Sequence, residues 1–372
     1  MDRENQFVRL AVDLTPLSVG GPNGGIKPYL ADTLAALGHA APKPYELVIL
    51  GSPSVREEFA PVVSPSSRFY TSDYVEPAEI ASLADCLYCP LGHSRLLGSG
   101  LPTVSLIVDT LHRDHPEFLP AEQVTARENR FNEMVQHVDL FQCISTFAAN
   151  RLVHHFDVSP DRIVLSSPVF QHGEAARADS AGRVRAPSFF YPANFGPHKN
   201  HETLLVAYRI YREANPVRPW PLVLMGNDDE RCNYLRKVAD LLGIGGGVEF
   251  VENASGDDLK EYYRSAGCLV FPSIYEGFGI PLLNAMEMGV PIVAGRRAAI
   301  PEVVGNAAHY TDVRNPQALA SAMSRLASDA PLRERLVQKG RERCADGAFK
   351  QEIYRLSDAF SRAIAMKERR LA

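Results

Sequence analysis

No stretch of this 372-residue chain stays apolar over the roughly 20 positions that a membrane-spanning helix needs. The formal net charge is −5, so the broad basic face of a general nucleic-acid binder is not expected. The six cysteines stand singly in apolar surroundings, apart from Cys86 and Cys89, and no second Cys pair or His pair accompanies those two. A zinc site needs four ligands, so Cys86 and Cys89 read as small apolar residues on one buried strand, with reduced thiols. An Asp-x-Asp triplet, a Gly-x-x-x-x-Gly-Lys-Ser/Thr phosphate loop and a Gly-x-Ser-x-Gly elbow are all missing. The start, Met1-Asp2-Arg3-Glu4-Asn5, runs straight into a strand-like segment without a signal-peptide core. A cytoplasmic location is therefore expected.

What is present is alternation. A chain of this length suits two domains. Apolar runs over 7–14, 45–51, 85–89, 103–108, 139–144 and 162–165 read as strands, with helices over 26–37, 121–138 and 145–156. Leu30, Leu34 and Leu37 share one helical stripe. The stretch 171–187 is rich in Ala, Arg, Gly and Ser with no apolar period, and reads as a connection. Alternation then resumes, with strands over 188–191, 221–225, 248–251, 267–271 and 290–294 and helices between and after them. Strand–helix alternation predicts parallel sheets with right-handed crossovers. The expected fold class is α/β, with two doubly wound Rossmann-like domains facing a cleft. Their expected limits are 1–172, a linker at 173–187, 188–350, and a final helix at 351–372.

The most informative segment follows the strand at 267–271. Glu276 stands at its carboxyl end, where open α/β sheets place ligands. Gly277-Phe278-Gly279 then turns into a short helix from Ile280. Glycine lets the backbone approach a ligand closely, and a helix start offers unpaired N–H groups to an anion. Ala285-Met286, Gly289-Val290-Pro291 and Pro301-Glu302-Val303-Val304-Gly305 complete the pattern. This set resembles the nucleotide-sugar signature of the retaining glycosyltransferases called group 1, or family 4. That signature is a Glu, seven residues and a second Glu. Here the first is Glu276, but the second position holds Asn284. In the family the second Glu accepts both ribose hydroxyls; an amide can accept from one and donate to the other. Glu287, one helical turn later, is the nearby carboxylate.

Three further blocks extend the resemblance. The segment 191–202 resembles the family's Pro-His-Lys-Asn loop, in which Lys199 would meet the donor diphosphate; Asn194 stands where many relatives have an Arg. His198 is open between packing and a phosphate contact. The glycine-rich run 20–25 resembles the first loop of the N-terminal domain, and puts Gly24 and Gly25 against the donor. The run 108–119 resembles a loop of mannosyltransferase-like members, although Val108 replaces its leading His. Asp109 and His112 would line the acceptor side, and His112 is equally open to a purely structural role. Ser145 reads as a helix N-cap.

The resemblance implies the GT-B fold, with the last helix crossing back to the first domain. It implies transfer of a sugar, with retention, from a nucleotide-diphosphate sugar such as GDP-mannose to a glycan or lipid-linked acceptor. Glu276, Lys199, His112 and Asp109 are the expected catalytic set. Gly24, Gly25, Asn194, Gly277, Phe278, Gly279, Ile280, Asn284 and Glu287, together with Lys199, are the expected donor contacts. No metal and no cofactor is expected, because fixed cations and N–H dipoles would carry the leaving diphosphate. No nucleic-acid partner is expected. Lys367, Arg369 and Arg370 allow peripheral contact with a membrane. A sugar-nucleotide epimerase, a phosphorylase, or a non-catalytic partner subunit are the alternatives that the same residues leave open.

Overall fold

The computed structural model describes residues 8–17, 26–39, 45–71, 75–168, 186–227, 229–345 and 351–371. Gly24, Gly25 and most of the expected linker (173–185) lie outside the described residues. The chain divides into one unit of Met1–Gln171 with Phe349–Ala372, and another of His172–Ala348.

The first unit is built on β1 (Arg9–Asp13), β2 (Glu46–Leu50), β3 (Arg68–Tyr70), β4 (Cys86–Cys89), β5 (Thr103–Ile107), β6 (Leu140–Cys143) and β7 (Ile163–Leu165). They pair in the order β3-β2-β1-β4-β5-β6-β7, all parallel. Every residue of β4, β5 and β6 is buried, as helices covering both faces of a parallel sheet require. Cys86 and Cys89 are buried free thiols on β4. Ser145 Oγ accepts the Ala148 N–H at 3.0 Å and caps the helix Thr146–Phe156.

The last helix, Glu352–Leu371, belongs to this first unit. Phe360 meets Tyr45 and Tyr88 edge-on at 5.5 and 5.2 Å. Ser167 N–H donates to Glu352 Oε2 at 2.8 Å, and Arg370 pairs with Asp139 at 2.9 Å. An aromatic wedge thus fixes the middle of the helix and polar contacts fix its ends. Among the described residues no helix is long and apolar enough to cross a membrane.

The second unit contains β8 (Phe189–Pro192), β9 (Leu222–Met225), β10 (Val248–Val251), β11 (Cys268–Phe271), β12 (Ile292–Ala294) and β13 (Ala308–Tyr310). Their order is β10-β9-β8-β11-β12-β13, again all parallel. The chain steps outward from β8 through β9 to β10, then returns to place β11 on the other side of β8. Loops leaving β8 and β11 at their carboxyl ends therefore part in opposite directions, and a crevice opens between them.

Two strands escape the sequence reading, β3 and β13. Each has three residues, sits at or next to a sheet edge, and is only partly buried. Neither carries the continuous apolar run that marks the central strands.

Candidate functional site

The β8 and β11 loops of the second unit are stitched to each other by backbone contacts. After β8 the chain makes a short turn at Pro197–Lys199, and Asn200 then adopts φ 63° before the helix His201–Ala214. Asparagine tolerates this left-handed conformation better than most residues. Its side-chain NH2 donates to Pro272 O at 3.1 Å and Val313 O at 2.9 Å, which ties this corner to the β11 and β13 loops. Ile274 N–H donates to His198 O at 2.8 Å. Tyr191, on β8, reaches Ser273 Oγ at 2.7 Å and Lys199 O at 3.1 Å.

These contacts bring together two residues that are 77 positions apart. Lys199 Nζ lies 2.7 Å from Glu276 Oε1, with side chains only 19% and 11% exposed. A lysine and a glutamate this far out of water satisfy each other with a charge-assisted hydrogen bond. The Glu276 backbone is held from the other side, since Ala299 N–H donates to Glu276 O at 3.3 Å. Arg297 Nε donates to Ile274 O at 3.2 Å.

The helix Ile280–Glu287 starts beside this pair. Its N-cap, Gly279, has φ 103°, and a Cβ there would stand 2.8 Å from Leu282 Cδ1, so only glycine fits. Gly277 and Gly279 are buried, and Phe278 is a core side chain at 4% exposure. Ile280 is half-buried. Asn284 is half-buried and hydrogen-bonds Tyr263, whose hydroxyl donates to Pro281 O at 3.1 Å. With that proton committed, Asn284 meets Tyr263 through its NH2 and keeps its carbonyl oxygen for another partner. Glu287 is buried at the far end of the helix, 8% exposed.

Asn194 supplies no charge, as its sequence predicts. Its Oδ1 accepts the Asn227 N–H at 3.1 Å and so sets the neighbouring β9 loop.

Asp109 and His112 belong to the first unit. Asp109 accepts the Leu111 N–H at 2.9 Å and Arg127 Nη1 at 3.3 Å, just before the helical turn Leu111–Asp114. His112 is 2% exposed and packs on Phe131 at 4.8 Å and Phe156 at 6.0 Å. Neither ring nitrogen has a hydrogen-bond partner among the described residues, and burial holds the pKa below the usual imidazole value. The ring is packed among aromatic side chains, with Nε2 3.6 Å from Glu128 Oε2. The apolar neighbours responsible, Phe131 and Phe156, lie outside the 108–119 motif, in the helices Ala121–His137 and Thr146–Phe156.

The second unit is similar to known proteins. Residues 174–343 match the family described as glycosyl transferases group 1. The O-antigen chain mannosyltransferase B of Escherichia coli is 27% identical over 241 residues, covering 60% of this chain and 61% of that protein. The D-inositol 3-phosphate glycosyltransferase of Salinispora tropica is 27% identical over 282 residues, covering 70% and 57%. The match thus spans about six tenths of the length of these curated relatives. Among solved structures, a glycosyltransferase from Rickettsia africae superposes with a TM-score of 0.71 at 12% identity, covering 97% of this chain and 99% of that one. Anabaena Alr3699/HepE, solved in complex with UDP and glucose, gives 0.73 at 14% identity, covering 95% and 99%. The fold is therefore GT-B, as the sequence resemblance implies.

Proposed function

We propose that this chain, whose residues 174–343 match the group 1 glycosyl transferases, moves a sugar from a nucleotide-diphosphate donor to a glycan or lipid-linked acceptor. The observation that carries the reading is the Lys199–Glu276 pair, 2.7 Å apart where the second sheet reverses its strand order. Within the pair each side chain neutralises the other. A donor entering the crevice offers both a better use. The ammonium turns to diphosphate oxygens, helped by the N–H groups at the start of the helix Ile280–Glu287. The carboxylate, released, accepts hydroxyls of the donor sugar. Charge that develops on the leaving diphosphate then meets a cation already in place, which is where preorganised electrostatics lowers a barrier most.

Retention, and proton uptake by the leaving phosphate itself, follow from the family resemblance. A mannosyl donor is favoured by the E. coli relative. The test is release of nucleoside diphosphate from a panel of GDP-, UDP-, ADP- and TDP-sugars, with EDTA in parallel. Release from at least one donor, unchanged in EDTA, is the expected result. Activity that disappears in EDTA and returns with Mg²⁺ or Mn²⁺ would shift the leaving-group role from Lys199 to a metal. Binding without any release would favour the non-catalytic alternative.

Asn284 gives a second, smaller test. Its free carbonyl oxygen suits one ribose hydroxyl, whereas a carboxylate could accept two. Asn284→Glu is expected to tighten nucleoside diphosphate binding by about 1 kcal/mol in calorimetry. Unchanged affinity in this variant and in Glu287→Ala would put the ribose elsewhere.

A further inference from the structure

Tyr191 and Ser273 are fully buried, yet each is tied close to one member of the Lys199–Glu276 pair. The Tyr191 hydroxyl lies 3.1 Å from the Lys199 carbonyl oxygen and 2.7 Å from Ser273 Oγ. Ser273 stands three residues before Glu276 on the β11 loop. A tyrosine hydroxyl has one proton to give, and a carbonyl oxygen can only accept. Both contacts are satisfied one way round: Tyr191 donates to Lys199 O, and Ser273 donates to the Tyr191 oxygen. Burial, and then the charge of Glu276, push the Tyr191 pKa up, so the phenol keeps that proton. Packing holds the ring, which meets Phe271 edge-on at 5.5 Å and the His201 ring at 4.8 Å.

Two other ties between the β8 and β11 loops grip the residues on either side of Lys199. His198 O accepts the Ile274 N–H, and the Asn200 side chain donates to Pro272 O. Tyr191 grips Lys199 itself. A residue whose carbonyl is pinned has the root of its side chain set in place. We infer that Tyr191 and Ser273 are positioning residues, whose hydroxyl chain fixes Lys199 against the Glu276 loop so that the ammonium stands ready for the leaving diphosphate. Neither hydroxyl touches the donor in this arrangement; both act through Lys199. A displacement of about 1 Å, even one caused far from the reacting bond, can cost roughly a hundredfold in rate. The inference rests on the nucleotide-sugar reading above.

The experiment is nucleoside diphosphate release by the full chain, with a donor from the GDP-, UDP-, ADP- and TDP-sugar panel that the wild type turns over, and with circular dichroism as the folding control. Tyr191→Phe keeps the ring and removes the hydroxyl. It is expected to lower kcat about tenfold, part of the full cost of misplacement, and to leave KM nearly unchanged. The same change is then made in Lys199→Ala. There the ammonium is already gone, so Tyr191→Phe is expected to cost nothing further. A tyrosine that served the fold alone would lower both backgrounds by the same factor. Ser273→Ala, put through the same cycle, supplies the answer should Tyr191→Phe not fold. Wild-type kcat in Tyr191→Phe, or an equal fall in the Lys199→Ala background, overturns the inference. If the wild type releases diphosphate from none of the donors, the nucleotide-sugar reading fails first, and this inference with it.

Discussion

Lys199→Ala is expected to lower turnover about a hundredfold with the fold intact, the usual cost of losing one charge-stabilising group, near 3 kcal/mol. The Lys199 loop is held by groups other than its own side chain. Asn200 bonds Pro272 O and Val313 O, Tyr191 bonds the Lys199 carbonyl, and Ile274 N–H bonds His198 O. Removing the ammonium leaves that frame in place and strips Glu276 of its partner. The loss should fall more on kcat than on KM, because the charge on the leaving group grows in the transition state. Lys199→Arg keeps the charge but spreads it over a planar fork, so partial activity is expected. The check is the rate of nucleoside diphosphate release, with circular dichroism as the folding control. Wild-type kinetics in Lys199→Ala would remove this residue from the site.

The second large effect concerns pH. His201 opens the helix after Lys199 and is fully buried, with its ring 4.8 Å from Tyr191 and 5.1 Å from Phe195. Neither ring nitrogen finds a hydrogen-bond partner among the described residues. Burial, followed by repulsion from Lys199, Arg231 and His198, pushes its pKa down to about 3. An unfolded histidine titrates near 6.5. As pH falls below about 6.5 the unfolded chain takes up a proton that the folded chain refuses. Stability from this residue is therefore complete above that pH and is lost progressively down to about pH 3. The slope approaches about 1.4 kcal/mol per pH unit, or about 2 kcal/mol between pH 6.5 and 5. His201→Phe keeps the aromatic packing and removes the proton. Its denaturation midpoint is expected to change less over that interval than the wild-type midpoint. Parallel losses in the two proteins would show that His201 is not held neutral.

The sequence made the central strands legible because they are continuous apolar runs. It could not mark β3 or β13, where three partly exposed residues carry no such run. Glu276 and Lys199 were each legible from a local motif at a strand end, but their contact depends on β8 and β11 being neighbours, which no local pattern states. Asn194 shows the limit from the other direction. Its missing charge was readable, but its use as an acceptor for Asn227 depends on the pairing of β8 with β9. Tyr263 carried no signal at all, since its contact with Asn284 joins two helices that are separate in sequence. The 108–119 motif left His112 open between a sugar contact and a structural role, because its burial is decided by Phe131 and Phe156, which lie outside the motif.

The central claim is that a nucleotide sugar is held by Lys199 and Glu276 at the strand reversal of the second unit. Titration calorimetry of the full chain with GDP-mannose and UDP-glucose, wild type against Lys199→Ala, addresses it most directly. The account predicts one donor bound per chain, held roughly tenfold or more weakly in the variant, as loss of a charged hydrogen bond implies. Equal affinity in the two proteins, or no binding of either donor by the wild type, would contradict it.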